Sequence, residues 1–120
     1  MAKILAVDDS PSMRKLVSMT LRHGGHEVVT ADDGVDALEF AKKESVNLVI
    51  TDLHMPNMNG ISLVKALRNL GHYKYIPLLF LTTETSAEMK REGKNVGATG
   101  WIVKPFDSEK LLETIDKVLA

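Results

Sequence analysis

The sequence contains no cysteine, which excludes disulfides, cysteine-based zinc sites and thiol chemistry together. It also has little net charge. Fifteen Lys and Arg stand against sixteen Asp and Glu, a balance of −1, with charged residues at 26%. No global basic field draws such a chain to nucleic acid or to anionic lipid, which argues against a free-standing DNA-binding module. No apolar run approaches the length of a membrane span. The first apolar run begins within three residues of the N-terminus, so no secretory leader is expected and the cytosol is the default compartment. No G-x-G-x-x-G follows a strand and no P-loop lysine motif occurs, so nucleotide binding has no support. At 120 residues the chain should form one domain, spanning 1–120, with a real core.

What is present is an alternation of short apolar runs and amphipathic segments. Leu48, Val49 and Ile50 form a run rich in β-branched residues, the pattern of a strand buried on both faces. It stops at Asp52, and Pro56, Asn57, Asn59 and Gly60 then make a turn cluster. Before it, Lys3–Val7 reads as a first strand ended by Asp8 and Asp9. Ser10 and Pro11 start a helix, a hydroxyl N-cap followed by proline at the first helical position, with Met13, Leu16, Val17 and Leu21 at helical spacing. Gly24 and Gly25 close it. His26–Thr30 reads as a weaker edge strand, and Asp32 or Asp33 caps a second helix with Ala37, Leu38 and Ala41 inside.

After Gly60 a third helix carries Ile61, Leu63, Val64, Leu67 and Leu70 and is expected to end at Gly71. Tyr75–Thr82 is the most apolar run, with Pro77 at the strand entry because it lacks a ladder donor. Thr85 or Ser86 caps a fourth helix that has only Met89 and Val96 to bury, is weakened by Gly93 and is expected to be mobile. Trp101–Val103 is a short fifth strand. Asp107 or Ser108 caps a last helix with a clean inner stripe of Leu111, Leu112, Ile115, Val118 and Leu119. Five strands alternating with five helices imply an α/β fold, a parallel sheet covered on both faces with right-handed crossovers.

In such a sheet the ligand crevice lies at the C-terminal ends of the central strands. Asp8 and Asp9, Asp52, Thr82 and Lys104 all stand at strand ends. Singly, each has a bland alternative: a helix-capping carboxylate, a packed threonine, a solvated lysine. Together they are harder to dismiss. Three carboxylates repel and call for a cation, and oxygen ligands without cysteine favour Mg²⁺, with a main-chain carbonyl such as that of His54 as a further ligand. Lys104 supplies a point charge and Thr82 a hydroxyl. That set suits phosphoryl transfer onto Asp52.

The motif set Asp8-Asp9, Asp52 with Met55-Pro56 and Gly60, Thr82, and Lys104-Pro105-Phe106 resembles the receiver domain of two-component response regulators over the full length of the chain. Ser10–Arg14 and Gly97–Phe106 are similar to the stand-alone chemotaxis members of that family. The resemblance implies a doubly wound, flavodoxin-like sheet of five strands in order 2-1-3-4-5. It implies that Asp52 accepts a phosphoryl group from a phosphohistidine on a histidine kinase. Asp9 and Asp52 would hold Mg²⁺ directly, Asp8 mostly through water and His54 through its carbonyl, while Lys104 and Thr82 contact the phosphoryl group. The Lys104–Pro105 bond would be cis.

By the same resemblance Trp101 is the switch aromatic, often tyrosine or phenylalanine in the family, that turns inward to remodel the face of helix 4, strand 5 and helix 5. His54 and Glu84 stand at the positions that tune phosphoryl lifetime. The implied protein is a monomeric signalling phosphoacceptor without an output domain, catalysing only its own phosphorylation and dephosphorylation. Its partners would be a chemotaxis-type kinase, the flagellar motor switch or another effector on that face, and a phosphatase. A phosphorelay intermediate or phosphate sink would use the same chemistry. From other classes, a haloacid-dehalogenase-type phosphatase would carry a second aspartate where His54 stands. A flavodoxin-like FMN carrier would not place Asp8 and Asp9 against a phosphate.

Overall fold

The computed structural model describes every residue from Met1 to Ala120. Its sheet contains β1 (Lys3–Val7), β2 (Glu27–Ala31), β3 (Leu48–Thr51), β4 (Leu78–Thr82) and β5 (Gly100–Val103), all parallel, in the order β2-β1-β3-β4-β5. The helices are α1 (Pro11–His23), α2 (Gly34–Lys43), α3 (Gly60–Arg68), α4 (Ala87–Asn95) and α5 (Ser108–Leu119). The order reverses between β1 and β3, which is where an open α/β sheet opens its crevice.

Strand side chains alternate between two cores, as a period of two requires. Ile4, Ala6, Ile50, Leu79 and Leu81 face Val17 and Leu21 of α1 and Leu111 and Ile115 of α5. Leu5, Val7, Val49, Leu78 and Phe80 face Ala37 and Ala41 of α2 and Leu63, Val64 and Leu67 of α3. Burial on both sides explains why the central strands read as unbroken apolar runs.

Capping resolves the open choices. Ser10, Asp33, Ser86 and Asp107 are the N-caps, each accepting a backbone N–H of its own first turn. Several details differ from the sequence expectation. The third helix stops at Arg68, and Gly71–Tyr73 forms a separate 3₁₀ turn that drives Tyr73 into the core. Strand β4 starts at Leu78, leaving Tyr75 86% exposed, with the Pro77 carbonyl accepting from the Val49 N–H. Leu16 is exposed, because the inner stripe of α1 runs through Val17, Thr20 and Leu21, and the Thr20 hydroxyl turns back to the Leu16 carbonyl.

Helix α4 is as poorly anchored in apolar terms as its composition suggests: only Gly93 is buried, with Met89 and Val96 half-buried. Gly93 has a positive use, however. A Cβ there would lie 2.9 Å from the Phe80 ring and 3.1 Å from the Trp101 ring, so its absence lets α4 settle onto both. The C-terminal end of α4 is tied differently. The Arg68 guanidinium donates to the carbonyls of Tyr73, Ile76 and Gly97, joining α3, the approach to β4 and the turn after α4.

Candidate functional site

The backbone ladders run one residue beyond the strands and so fix the polar side chains. Asp8 N–H donates to the Ala31 carbonyl, Asp52 N–H to Val7 and Lys104 N–H to Thr82. Asp8, Asp52 and Lys104 therefore emerge from β1, β3 and β5 at the same end of the sheet. The Lys104 ammonium lies 2.7 Å from Asp8 Oδ2 and 3.0 Å from Asp52 Oδ2. All three side chains are nearly buried: 9% exposed for Lys104, 8% for Asp8 and 14% for Asp52. Burial alone would depress the Lys104 pKa, but the hydrogen bonds and charges of Asp8 and Asp52 outweigh it and hold the ammonium above the usual lysine value.

Asp9 completes the group. Carboxylate oxygens of Asp8, Asp9 and Asp52 all lie within 4.8 Å of one another. They differ in availability. Asp8 accepts one hydrogen bond on each oxygen, Oδ1 from Ser10 N–H at 2.9 Å and Oδ2 from Lys104. Asp52 accepts from Leu53 N–H through Oδ1 and from Lys104 through Oδ2. Asp9 is exposed and pairs with no other side chain. One lysine cannot neutralise three carboxylates, and the donor set is all oxygen, so the site fits a hard divalent cation. Arg14, to which sequence reasoning gave no role, stiffens the loop after β1: it donates to the Asp8 carbonyl at 2.7 Å and meets Asp32 at 3.5 Å.

A second group stands beside the first, with Glu84 as its hub. His54 Nε2 lies 2.9 Å from Glu84 Oε1, the Thr82 hydroxyl accepts from Glu84 N–H at 3.2 Å, and Trp101 Nε1 donates to the Glu84 carbonyl at 3.0 Å. The hydrogen bond to His54 is the main reason the Glu84 carboxyl is held below the usual range. Trp101 is half-buried, its ring 5.2 Å from that of Phe80. Thr82 is fully buried and its hydroxyl makes no hydrogen bond to Asp8, Asp9 or Asp52. The Lys104–Pro105 peptide is cis.

The family model described as the response regulator receiver domain matches residues 4–116. The chain belongs to that family. Among curated relatives of this receiver, the chemotaxis protein CheY-3 of Vibrio cholerae is 42% identical over 97% of the chain and 90% of its own length. Among solved structures, Vibrio cholerae CheY4 superposes with a TM-score of 0.94 at 56% identity, covering 98% of both chains. The receiver domain of a sensor histidine kinase from Pseudomonas aeruginosa, solved with magnesium in its active-site cleft, is 22% identical and shares the fold at a TM-score of 0.92, over 98% of this chain and 97% of its own. Receivers of the CheY type are signalling proteins rather than enzymes acting on a separate metabolite. No helix of this receiver is long and apolar enough to cross a membrane.

Proposed function

We propose that the chain is a phosphorylation-activated response regulator in which Asp52 is the phosphoacceptor. The observation that carries this reading is the convergence of Asp8, Asp9, Asp52 and Lys104 at the ends of β1, β3 and β5. An Asp52 carboxylate oxygen attacks the phosphorus of a phosphohistidine on a histidine kinase. The P–N bond breaks, its electron pair returns to the imidazole, and an acyl phosphate forms. Asp9 and Asp52 would hold Mg²⁺, with the His54 carbonyl as a main-chain ligand and Asp8 acting through water, and the chemistry supplied there would be neutralisation of charge on the transferring phosphoryl oxygens.

Lys104 then leaves its carboxylate partners for the phosphoryl group. Thr82 gives up its bond from Glu84 N–H to donate to the same group. Because Glu84 also receives Trp101 Nε1 and His54 Nε2, a movement of Thr82 is felt at both. Trp101 forms one wall of a depression of about 250 Å³ shared with Lys90, Lys94 and Gly100, on the face built by α4 and β5. Repositioning the ring changes that face and the seat of Gly93 of α4 against it. His54 and Glu84, paired at 2.9 Å, set how fast water reaches the acyl phosphate.

The effector is a protein that reads this face, and the similarity to chemotaxis proteins favours the flagellar motor switch. Capture from lysate with and without beryllofluoride, which mimics the aspartyl phosphate, tests it. Motor-switch protein should come down only with the mimic. Capture of kinases or histidine phosphotransfer proteins alone, unaffected by the mimic, would replace the motor reading with a relay or a phosphate sink.

A further inference from the structure

Asn57 has φ 67°, the only non-glycine residue of the chain with positive φ. The Met58 N–H donates to the Pro56 carbonyl at 2.7 Å, so Asn57 is the centre of a three-residue turn of the rare, strained hand. Such a conformation persists only where its surroundings over-determine it. Here the surroundings are the start of α2. Asn57 Nδ2 donates to Asp33 Oδ2 at 2.7 Å, while Asp33 Oδ1 accepts from Asp36 N–H at 2.9 Å to cap the helix. One carboxylate thus ties the turn to the helix. The hydrogen bonds from Asp36 N–H and Asn57 hold the Asp33 carboxyl below its usual pKa, which keeps it charged.

The contact is close as well as polar. A Cβ at Gly34 would lie 2.6 Å from the Met58 carbonyl oxygen and 2.8 Å from Met58 Cβ, so the turn rests directly on the first turn of α2. At its base the same loop is closed by Gly60 N–H donating to the Leu53 carbonyl at 2.7 Å. His54 lies between these two fixed points, and its carbonyl accepts no hydrogen bond from the protein.

We infer that Asp33 and Asn57 form a clasp that positions the His54 carbonyl, and that both are positioning residues for Mg²⁺. This rests on the reading of Asp9, Asp52 and the His54 carbonyl as its ligands. Mg²⁺ demands near-ideal octahedral geometry, so a carbonyl ligand left to wander would weaken binding. Neither residue touches the ion or the phosphoryl group. They act through the loop.

The clasp can be broken and remade by exchanging its partners. Asn57→Asp sets two carboxylates against each other. Adding Asp33→Asn restores one donor and one acceptor and keeps a good N-cap for α2. Asp33→Asn alone is a control, because the Asn57 amide can turn over to offer its oxygen. Mg²⁺ affinity by calorimetry and the thermal midpoint are measured for the four proteins, with Asp9→Ala alongside. Asn57→Asp should bind Mg²⁺ about tenfold more weakly while remaining folded, although its extra negative charge would by itself tighten a cation. The double exchange should return to the wild-type affinity, and Asp33→Asn should stay near it.

Wild-type-like or tighter binding by Asn57→Asp, or a double exchange that stays weak, would overturn the clasp while leaving the metal site standing. Wild-type protein that shows no Mg²⁺ binding sensitive to Asp9→Ala would overturn the metal site itself, and the clasp with it.

Discussion

Lys104 and Asp52 lie 52 residues apart in sequence and 3.0 Å apart in space, joined by an ion pair almost closed to solvent. The same ammonium holds Asp8 at 2.7 Å. Lysine therefore occupies the charge-neutralising place among carboxylates that also suit a divalent cation. Replacing it with Met leaves Asp8 and Asp52 uncompensated, at a cost of roughly 3 kcal/mol. Thermal unfolding of Lys104→Met with chelator should show a clear loss of stability. Mg²⁺ should then raise its midpoint by more than it raises that of the wild type, since the internal competitor is gone. Equal increments in the two proteins would count against a shared site.

Gly93 reads in sequence as a weak point of α4, and the structure reverses the expected effect of filling it. Gly93→Ala should gain about 1 kcal/mol in helix propensity. It should lose about 1–3 kcal/mol because the new methyl meets Phe80 at 2.9 Å and Trp101 at 3.1 Å. Urea unfolding should show net destabilisation, with a shift in Trp101 emission in the folded state. A more stable variant with unchanged emission would mean that α4 adjusts freely at this point.

Trp101 should also report on Mg²⁺. Its Nε1 donates to the Glu84 carbonyl, and Glu84 is also bonded to Thr82 and to His54 in the loop after Asp52. Mg²⁺ should quench its fluorescence in the wild type. Asp9→Ala should require far more Mg²⁺ for the same effect, and an Asp9→Ala protein that quenches as strongly would remove Asp9 from the ligand set.

Tyr73 gives a pH signature. Burial, then the nearby Glu44 charge, pushes its phenol from 10.0 up to about 12, and its hydroxyl donates to the Glu44 carbonyl. The folded state holds that proton more tightly than the unfolded chain. The resulting stability is complete below the ordinary tyrosine value of 10.0 and lost as pH rises through about 12. Stability measured across this range should fall in the wild type, and Tyr73→Phe should remove that part of the slope. An unchanged slope would place the alkaline sensitivity elsewhere, with Lys104 the next group to examine.

The parallel sheet, the five helices and the residues at the strand ends were legible because they rest on local signals: apolar runs, capping side chains and abrupt polar stops. Asp8, Asp9, Asp52 and Lys104 needed only the rule that parallel strands share a ligand-binding end. Tyr73, Arg68 and Asn57 were not legible. Each is defined by a carbonyl or carboxylate brought close by the fold: Glu44 for Tyr73, Gly97 and Ile76 for Arg68, Asp33 for Asn57. His72, which reads as a turn residue without signal, likewise finds the Ala41 carbonyl at 2.7 Å. Glu84 could be placed beside Thr82 by sequence, but its bond to the Trp101 indole depends on how α4 packs, which no periodicity encodes.

Most directly, the phosphoacceptor is tested by intact-mass spectrometry after incubation with Mg²⁺ and a small-molecule phosphodonor. Wild-type protein should gain the mass of one phosphoryl group, lose it on treatment with hydroxylamine as an acyl phosphate does, and gain nothing when Mg²⁺ is chelated. Asp52→Asn, with the same far-UV circular dichroism, should gain none. Stable transfer to Asp52→Asn, or a wild-type adduct that resists hydroxylamine, would contradict Asp52 as the acceptor.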